Sequence, residues 1–320
     1  MSVSTEESAM PDRRDFIRTL LSGMALAGLN TLPIELLAVQ DLIKLTILHT
    51  NDVHSRIDPF PENDPKYPGL GGVARRAAII NHIRSTEKNV LLLDAGDIFQ
   101  GTPYFNLYGG EPELRIMSRM GYDAATIGNH DFDNGIEGLA NRLPDMNFPF
   151  LNANYNFSDT PLENKTVPYR IFKKGGIKTG VFGIGIELHG LVDPKLYGNT
   201  HYEDPLIHAG RMSKILKNDY KCDLIICLSH LGYRYNDKKI SDEILAKQSS
   251  CIDLIIGGHT HTFLDKPVSY LNNIGKEVLV AQVGWAGIRL GRIDYFFDAK
   301  GRKKDTLSST VKISENTIAS

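Results

Sequence analysis

Short apolar runs alternate with amphipathic stretches along most of the chain. Each run is too brief for a helix and is followed at once by polar residues, which predicts a buried strand. These runs lie at residues 45–48, 90–93, 124–127, 150–151, 181–184, 224–227 and 254–256. Helical spacing of the apolar positions between them predicts helices over 73–84, 111–120, 136–143 and 208–219.

Nearly continuous apolar strands separated by helices favour an α/β fold whose mostly parallel sheet is covered on both faces. The end of the chain has a different pattern. Runs at 278–283, 289–297 and 310–313 are joined by glycine-containing turns, which predicts an antiparallel meander. Residues 59–72 contain four prolines and three glycines, so we expect a loop there.

The N-terminus resembles a twin-arginine export signal. Arg13 and Arg14 are followed by Phe16, Arg18 and a weakly apolar stretch at 19–39. This stretch is interrupted by polar residues and does not predict a membrane span; an amphipathic surface helix is the alternative. We expect a signal and linker at 1–42, a folded domain at 43–300 and a polar C-terminal tail at 301–320. The protein is then exported, periplasmic or otherwise extracytoplasmic, and membrane-tethered if the signal is not cleaved.

Charge is balanced over the body of the chain. Lysine and arginine total 36, aspartate and glutamate total 38, and from Asp41 onward there are 33 of each sign. This balance argues against a nucleic-acid-binding protein, so any anion must be held by a local device such as a metal ion. Three cysteines, Cys222, Cys227 and Cys251, predict buried thiols rather than a disulfide framework.

Polar groups follow five of the predicted strands at the point where each strand ends. In open α/β sheets ligands bind beyond that edge, because the carboxyl ends of the strands meet there. In chain order the groups are Asp52 and His54, Asp97, then Asn129, His130 and Asp131, then His230, and finally His259 and His261. Any one of these tails could be a turn or a helix cap, but five at the same edge predict a shared site.

The residue types in these tails select the chemistry. Carboxylate and amide oxygens with several imidazoles and no thiolate suit zinc, manganese, iron or cobalt. The candidate ligands exceed what one ion with an open position can use, so we expect two divalent metal ions bridged by a carboxylate. Such a pair clamps a phosphoryl group and activates water near neutral pH.

Five motifs in this order resemble those of the calcineurin-like metallophosphoesterases, and within them the branch of 5′-nucleotidases and UDP-sugar hydrolases. They are D-x-H at Asp52, G-D-x-x-x-G at Gly96, G-N-H-D-F-D-N-G at Gly128, S-H-L-G at Ser229 and G-H-T-H at Gly258. The resemblance implies that 43–300 is a catalytic domain. It also implies a four-layer α-β-β-α sandwich in which two mixed sheets have flanking helices.

Carried over residue by residue, the resemblance implies a role for each candidate. One metal ion is implied to be held by Asp52, His54, Asp97 and His261. A second is implied to be held by Asp97, Asn129, His230 and His259, with Asp97 as the bridge. His130, oriented by Asp133, is implied to stabilise the transferring phosphoryl group. Asp131 is implied to lie next to the ligands without binding a metal ion itself. The implied reaction is hydrolysis of a phosphomonoester, foremost a 5′-nucleotide, by a metal-activated water without a phosphoenzyme.

The chain departs from the family pattern in two ways. At His261 this branch frequently carries an amide, so we expect the imidazole to change which metal ion the first site prefers. Relatives that hydrolyse nucleotides usually continue into a second domain that holds the nucleoside, whereas this sequence ends at Ser320. We therefore expect either that a separate chain supplies the companion domain or that the enzyme acts broadly on phosphate esters.

Other functions share parts of this pattern. A metal-dependent phosphodiesterase or nucleotide pyrophosphatase uses the same cluster. The thiosulfohydrolases of sulfur oxidation combine a related dimetal domain with a twin-arginine signal. A non-catalytic metal-binding module is the alternative outside the enzymes, although every implied ligand is present in this sequence.

Overall fold

Thirteen strands and seven α-helices form the part of the chain that the computed structural model describes, residues 42–318. The strands are β1 Ile43–Thr50, β2 Val90–Asp94, β3 Ala124–Ala125, β4 Tyr155–Asn156, β5 Tyr169–Lys174, β6 Ile177–Ile184, β7 His201–Tyr202, β8 Leu224–Ser229, β9 Leu254–Gly257, β10 Val268–Leu271, β11 Glu277–Ala281, β12 Arg289–Phe297 and β13 Lys303–Lys312. The α-helices are α1 Val73–Thr86, α2 Pro103–Tyr108, α3 Glu111–Met120, α4 Gly135–Arg142, α5 Pro194–Tyr197, α6 Pro205–Asn218 and α7 Asp242–Gln248. The predicted export signal lies outside the described residues and stays a prediction.

The strands form two mixed sheets and a short ribbon. The first sheet has the order β13-β12-β1-β2-β3, in which β1, β2 and β3 are parallel and β12 is antiparallel to both of its neighbours. The second sheet has the order β10-β11-β9-β8-β6-β5. Its four central strands run parallel, and its two edge strands are antiparallel to their neighbours. The ribbon pairs β4 with β7.

Apolar side chains on alternate strand positions fill the space between the sheets. Leu45 and Ile47 of β1 share this core with Leu224 and Ile226 of β8. The opposite face of the first sheet packs on α1, α3 and α4, and that of the second on α6 and α7. Burial on both faces is the reason that these strands are continuous apolar runs. The layers are therefore α-β-β-α, and the expected fold is confirmed.

Loops from both sheets meet at one edge of the sandwich. The backbone N–H of His259, after β9, donates to the Asp52 carboxylate after β1 at 2.9 Å. The ring Nδ1 of His230, after β8, lies 2.7 Å from the carbonyl oxygen of Ala95 after β2. These contacts join the second sheet to the first at the carboxyl ends of their parallel strands, where the sequence predicts the site.

The four predicted helices are present within a few residues of their expected bounds, as α1, α3, α4 and α6. The run at 150–151 makes isolated bridges to Ala125 and Val167 instead of a longer strand. Residues 59–72 contain no helix or strand, as expected. Cys222 and Cys227 are buried and Cys251 is partly buried, all three as free thiols. None of the helices within residues 42–318 combines the length and apolar character needed to cross a bilayer.

The predicted antiparallel meander is wrong in its first member. Strand β11 belongs to the second sheet and runs parallel to β9, whereas β12 and β13 form an antiparallel hairpin in the first sheet. Residues 282–288 carry the chain from one sheet to the other. Val278 and Val280 are fully buried in the core under the second sheet's helices, and that burial fixes β11 there. Glycine-rich spacing alone does not distinguish such a crossover from a hairpin turn.

The predicted polar tail at 301–320 also needs correction. Residues 303–312 form β13, which pairs with β12 at the edge of the first sheet, and the next residue, Ile313, is fully buried. An edge strand exposes much of its surface, so a polar composition is compatible with a strand here. The folded domain therefore extends beyond residue 300.

Candidate metal centre

Five of the seven predicted ligands have backbone conformations that non-glycine residues rarely adopt. Residues 42–318 contain eleven non-glycine residues with positive φ, and these five are among them. They are Asp52, His54, Asp97, His259 and His261, with φ between 47° and 71°. Such strain persists only where the surrounding structure over-determines it, and it concentrates at functional sites.

A first group of potential ligand atoms comes from the loops after β1, β2 and β9. One nitrogen or carboxylate oxygen from each member lies within 4.8 Å of one from every other member. The members are Asp52, His54, Asp97 and His261. The Nε2 atoms of His54 and His261 are 2.9 Å apart, and His261 Nε2 is 3.5 Å from Asp52 Oδ1. Two imidazole nitrogens and two carboxylates therefore face one point.

A second group shares Asp97 with the first. It joins Asp97 to His230 and His259, again with all ligand atoms within 4.8 Å of one another. Asp97 Oδ2 is 3.0 Å from His230 Nε2. Asn129 adjoins this group, because its Oδ1 lies 2.8 Å from His259 Nδ1. The structure thus brings all seven predicted ligands together around two adjacent points with Asp97 between them.

Burial and mutual charge shift the pKa values of these groups. Burial raises the pKa of Asp52 well above its usual value. Burial also acts upward on Asp97, but the neighbouring histidines, His230 foremost, together outweigh it and leave the pKa of Asp97 below its ordinary value. Burial acts downward on His230, yet the Asp97 carboxylate raises the pKa of His230 to about 10. Burial lowers the pKa of His259 to about 3 and that of His261 to about 4, so both rings are neutral at pH 7.

Backbone carbonyls orient two of the imidazoles. His54 Nδ1 donates to the Phe99 carbonyl oxygen at 3.1 Å and His230 Nδ1 to that of Ala95 at 2.7 Å. With Nδ1 bound to a carbonyl oxygen, Nε2 faces the cluster, which is the arrangement that metal-binding histidines need. Gly128 has to be glycine, because a Cβ there would lie 2.1 Å from Asp97 Oδ1.

His130 lies beside both groups rather than within them. Its backbone N–H donates to Asp97 Oδ1 at 2.8 Å, and its ring is 5.3 Å from that of His54 between centroids. Its Nδ1 is 2.8 Å from Asp133 Oδ2, and this hydrogen bond is the main reason that the pKa of His130 is raised. The side chain is 40% exposed, so the ring is open to a substrate.

The sequence profile of the calcineurin-like phosphoesterases matches residues 45–263, which include all of these residues. The chain belongs to the calcineurin-like phosphoesterase family. It is 36% identical over 81% of its length to the snake venom 5′-nucleotidase of Naja atra, covering 51% of that protein. It is also 36% identical to the 5′-nucleotidase of Bos taurus, with 81% of this chain and 47% of that protein covered.

A solved structure is also similar to this chain. A 5′-nucleotidase precursor from Thermus thermophilus superposes with a TM-score of 0.78 at 32% identity, covering 86% of this chain and 55% of that one. The chain thus spans about half the length of the curated relatives it matches. Calcineurin-like phosphoesterases use two divalent metal ions, and the two groups that share Asp97 are able to bind them.

Two residues that have no role in the sequence prediction also shape this centre. Buried Gln282, just after β11, donates from Nε2 to the Gly258 carbonyl oxygen at 2.6 Å and accepts from the Thr262 N–H. Asn51 donates to Asp52 Oδ2 at 2.5 Å and accepts from Val283 N–H at 2.9 Å. Both bind the crossover after β11 to the ligand loops. The rule that polar residues after a strand belong to the site would have found Gln282, had β11 been placed in the second sheet.

Asp131 supports the bridging residue through the backbone. Its carboxylate accepts N–H groups at distances between 2.8 and 3.1 Å, donated by Asp97, Ile98, Phe99 and Gly128. Burial, and then the charge of Asp97, raise the pKa of Asp131 to about 7. We expect Asp131→Ala to lower the free energy of unfolding by about 2 to 4 kcal/mol, because four buried donors lose their partner. Denaturant titration measures this loss.

The control variant for Asp131→Ala is Asp265→Ala. Asp265 is 87% exposed and forms a surface ion pair with Arg289, so its loss should cost less than about 1 kcal/mol. Equal stabilities of the two variants would show that the Asp131 hydrogen bonds do not hold the loop of Asp97.

Proposed function

We propose that this chain hydrolyses phosphomonoesters, foremost 5′-nucleotides, at a centre of two divalent metal ions. The observation that carries the proposal is the sharing of Asp97 by two groups of ligand atoms. A carboxylate between two cations is the arrangement by which two-metal sites clamp a phosphoryl group. The charges of the protein are balanced and do not attract an anion, so the phosphoryl group must be bound by this centre.

The donor set fits such ions. His230 Nε2 is fully buried and, among the described residues, has no hydrogen bond of good geometry, although Asp97 Oδ2 is only 3.0 Å away. A proton or a cation is needed between them, since a buried lone pair beside a carboxylate is unfavourable. Imidazoles with carboxylates and without thiolates favour zinc, manganese, iron or cobalt.

We assign the ligands as the family resemblance implies. The first ion would be held by Asp52, His54, Asp97 and His261. The second would be held by Asp97, Asn129, His230 and His259. When bound, the ions neutralise charge on the phosphoryl oxygens and lower the pKa of water. His130, with Nδ1 donating to Asp133, would present a protonated Nε2 to the phosphoryl group or the leaving oxygen.

The decisive experiment is a substrate screen on the metal-reconstituted protein. We expect phosphate release from AMP and from p-nitrophenyl phosphate, with slower cleavage of bis(p-nitrophenyl) phosphate. Faster cleavage of the diester would assign the site to a phosphodiesterase, and sulfate release from a thiosulfonate would assign it to a thiosulfohydrolase. If the protein binds two ions but hydrolyses no ester, the site belongs to a metal-binding module rather than to an enzyme.

Metal binding is also expected to stabilise the fold. At a free Zn²⁺ concentration of about 100 times the Kd, each site should add about 2.7 kcal/mol to the free energy of unfolding. Scanning calorimetry of chelator-treated protein with and without Zn²⁺ measures this increase. Ca²⁺ at the same concentration should have less effect, because most of the ligands are imidazoles. Equal stabilisation by both ions would argue against the assigned ligand set.

Nucleotide selectivity is proposed to reside outside the matched region. The curated 5′-nucleotidases are about twice as long as the stretch that this chain covers, which supports a companion domain outside that stretch. Copurification and AMP turnover with and without a candidate partner test this. Full selectivity for nucleotides in the isolated chain would contradict both the companion domain and broad ester hydrolysis.

Export is proposed from the paired arginines Arg13 and Arg14, and relatives named snake venom 5′-nucleotidases agree with it. We expect the double variant Arg13→Lys, Arg14→Lys to accumulate in the cytoplasmic fraction, because the twin-arginine pathway reads that pair. Fractionation with an immunoblot measures this. An unchanged distribution would favour the amphipathic surface helix.

A further inference from the structure

His261 differs from the other imidazoles in how its ring is oriented. The rings of His54 and His230 each donate from Nδ1 to a backbone carbonyl, and the His259 ring contacts Asn129. Among the residues that the structure describes, His261 Nδ1 has no hydrogen-bond partner. Its side chain is also 39% exposed, so burial alone does not fix the ring. Something else must hold it if it is to keep its place in the first group.

The indole of Trp285 lies parallel to the His261 ring. The two ring planes are inclined by 4° and their centroids are 5.6 Å apart, which is an offset stack. In this stack the Nε2 edge of the imidazole is directed at His54 Nε2 and Asp52. Trp285 is the only tryptophan in the chain.

Trp285 is itself held firmly. Phe60 and Tyr67 from the 59–72 loop meet the indole edge-to-face, with centroids 5.9 and 6.1 Å away. The next residue, Ala286, donates its N–H to the Asp52 carbonyl oxygen at 2.7 Å. The tryptophan is therefore fixed both to the loop of a proposed ligand and to an aromatic cluster, formed by Phe60, Tyr67, Phe263 and Trp285 with the apolar residues around them.

We propose that Trp285 is a positioning residue that holds the His261 ring in the orientation that binds the first metal ion. The inference rests on the proposed function, since it needs His261 to be a ligand. The stack does for His261 what a carbonyl acceptor does for His54 and His230. It also gives the proline-rich loop at 59–72 a role, because that loop supplies two of the rings that hold the indole.

The test measures Zn²⁺ affinity rather than turnover. Chelator-treated protein is titrated with Zn²⁺ by calorimetry, first for the wild type, in which two sites are expected. In Trp285→Leu we expect one site to weaken about tenfold, the effect typical of losing a group that orients a ligand, while the other is unchanged. Trp285→Phe retains an aromatic face and should remain close to the wild type.

Two further variants separate positioning from general packing. In the His261→Gln background an amide can still bind Zn²⁺, but no ring remains to be stacked, so Trp285→Leu should change affinity by about threefold or less. Phe297→Leu removes a fully buried ring opposite Ile43, at the far end of β1 from the site, and should leave both affinities unchanged.

The proposal is overturned if Trp285→Leu binds both ions like the wild type, weakens both sites equally, or acts as strongly in the His261→Gln background as with the histidine in place. Failure of the assigned metal centre is recognised separately, because the wild type would then not bind two Zn²⁺ ions, and failure of the proposed hydrolysis is recognised by the absence of phosphate release from AMP and p-nitrophenyl phosphate.

Discussion

Asp97→Ala is expected to lose both metal ions and nearly all turnover. Asp97 Oδ2 is 3.0 Å from His230 Nε2 and 3.8 Å from His54 Nε2, so one carboxylate serves both groups of ligands. Without it, each proposed ion loses an anionic ligand: the first keeps only Asp52, and the second keeps no carboxylate. A loss of about 4 kcal/mol of transition-state stabilisation corresponds to about a thousandfold lower kcat/KM. Metal content and phosphate release measure the two effects.

Two isosteric variants separate charge from shape. Asp97→Asn keeps an oxygen for the His130 N–H but removes the negative charge, and it should also lose metal. Asp94→Asn is the matched control. Asp94 is buried on β2 near the same edge, but it accepts hydrogen bonds from Thr50 and Gly96 and belongs to neither group of ligands. Two bound ions and wild-type turnover in Asp97→Asn would contradict the bridging role.

The position of the site at one edge of the sheets was predictable, because buried strands have a recognisable sequence pattern. A strand covered on both faces must be apolar at nearly every position, so the first polar residues mark its end. Asp52, Asp97 and His230 each follow such a strand, and parallel strands place their ends together. The grouping of the candidates therefore followed from local patterns, whereas their division between two ions came from the family resemblance.

Contacts between distant loops were not predictable in this way. Gln282 and Asn51 have no motif of their own, and Trp285 is ordinary as a single residue. Their roles arise because 282–288 crosses from the second sheet to the first over the ligand loops. That path depends on whether β11 pairs with β9 or β12, a choice between two apolar neighbours that local spacing does not encode. The error about the meander and the unpredicted contacts of these residues thus have one cause.

His130→Ala is expected to keep both metal ions and to lose catalysis. Its ring lies outside both groups of ligand atoms, and only its backbone N–H, which alanine retains, contacts Asp97. Loss of a positioned acid lowers rates by about a hundredfold to ten-thousandfold. We expect that loss in kcat, with KM for AMP nearly unchanged and metal content equal to that of the wild type.

The leaving group distinguishes the two roles considered for His130. A nucleoside is a poor leaving group and needs a proton, whereas p-nitrophenolate leaves without one, so a proton donor matters for AMP and little for p-nitrophenyl phosphate. If His130 mainly stabilises the phosphoryl charge, its removal slows both substrates alike. Asp133→Asn should slow the same substrates as His130→Ala, but by a smaller factor, because it lowers the pKa of His130 without removing the ring. Full activity of His130→Ala on AMP would exclude both roles, while leaving the metal centre and the fold assignment intact.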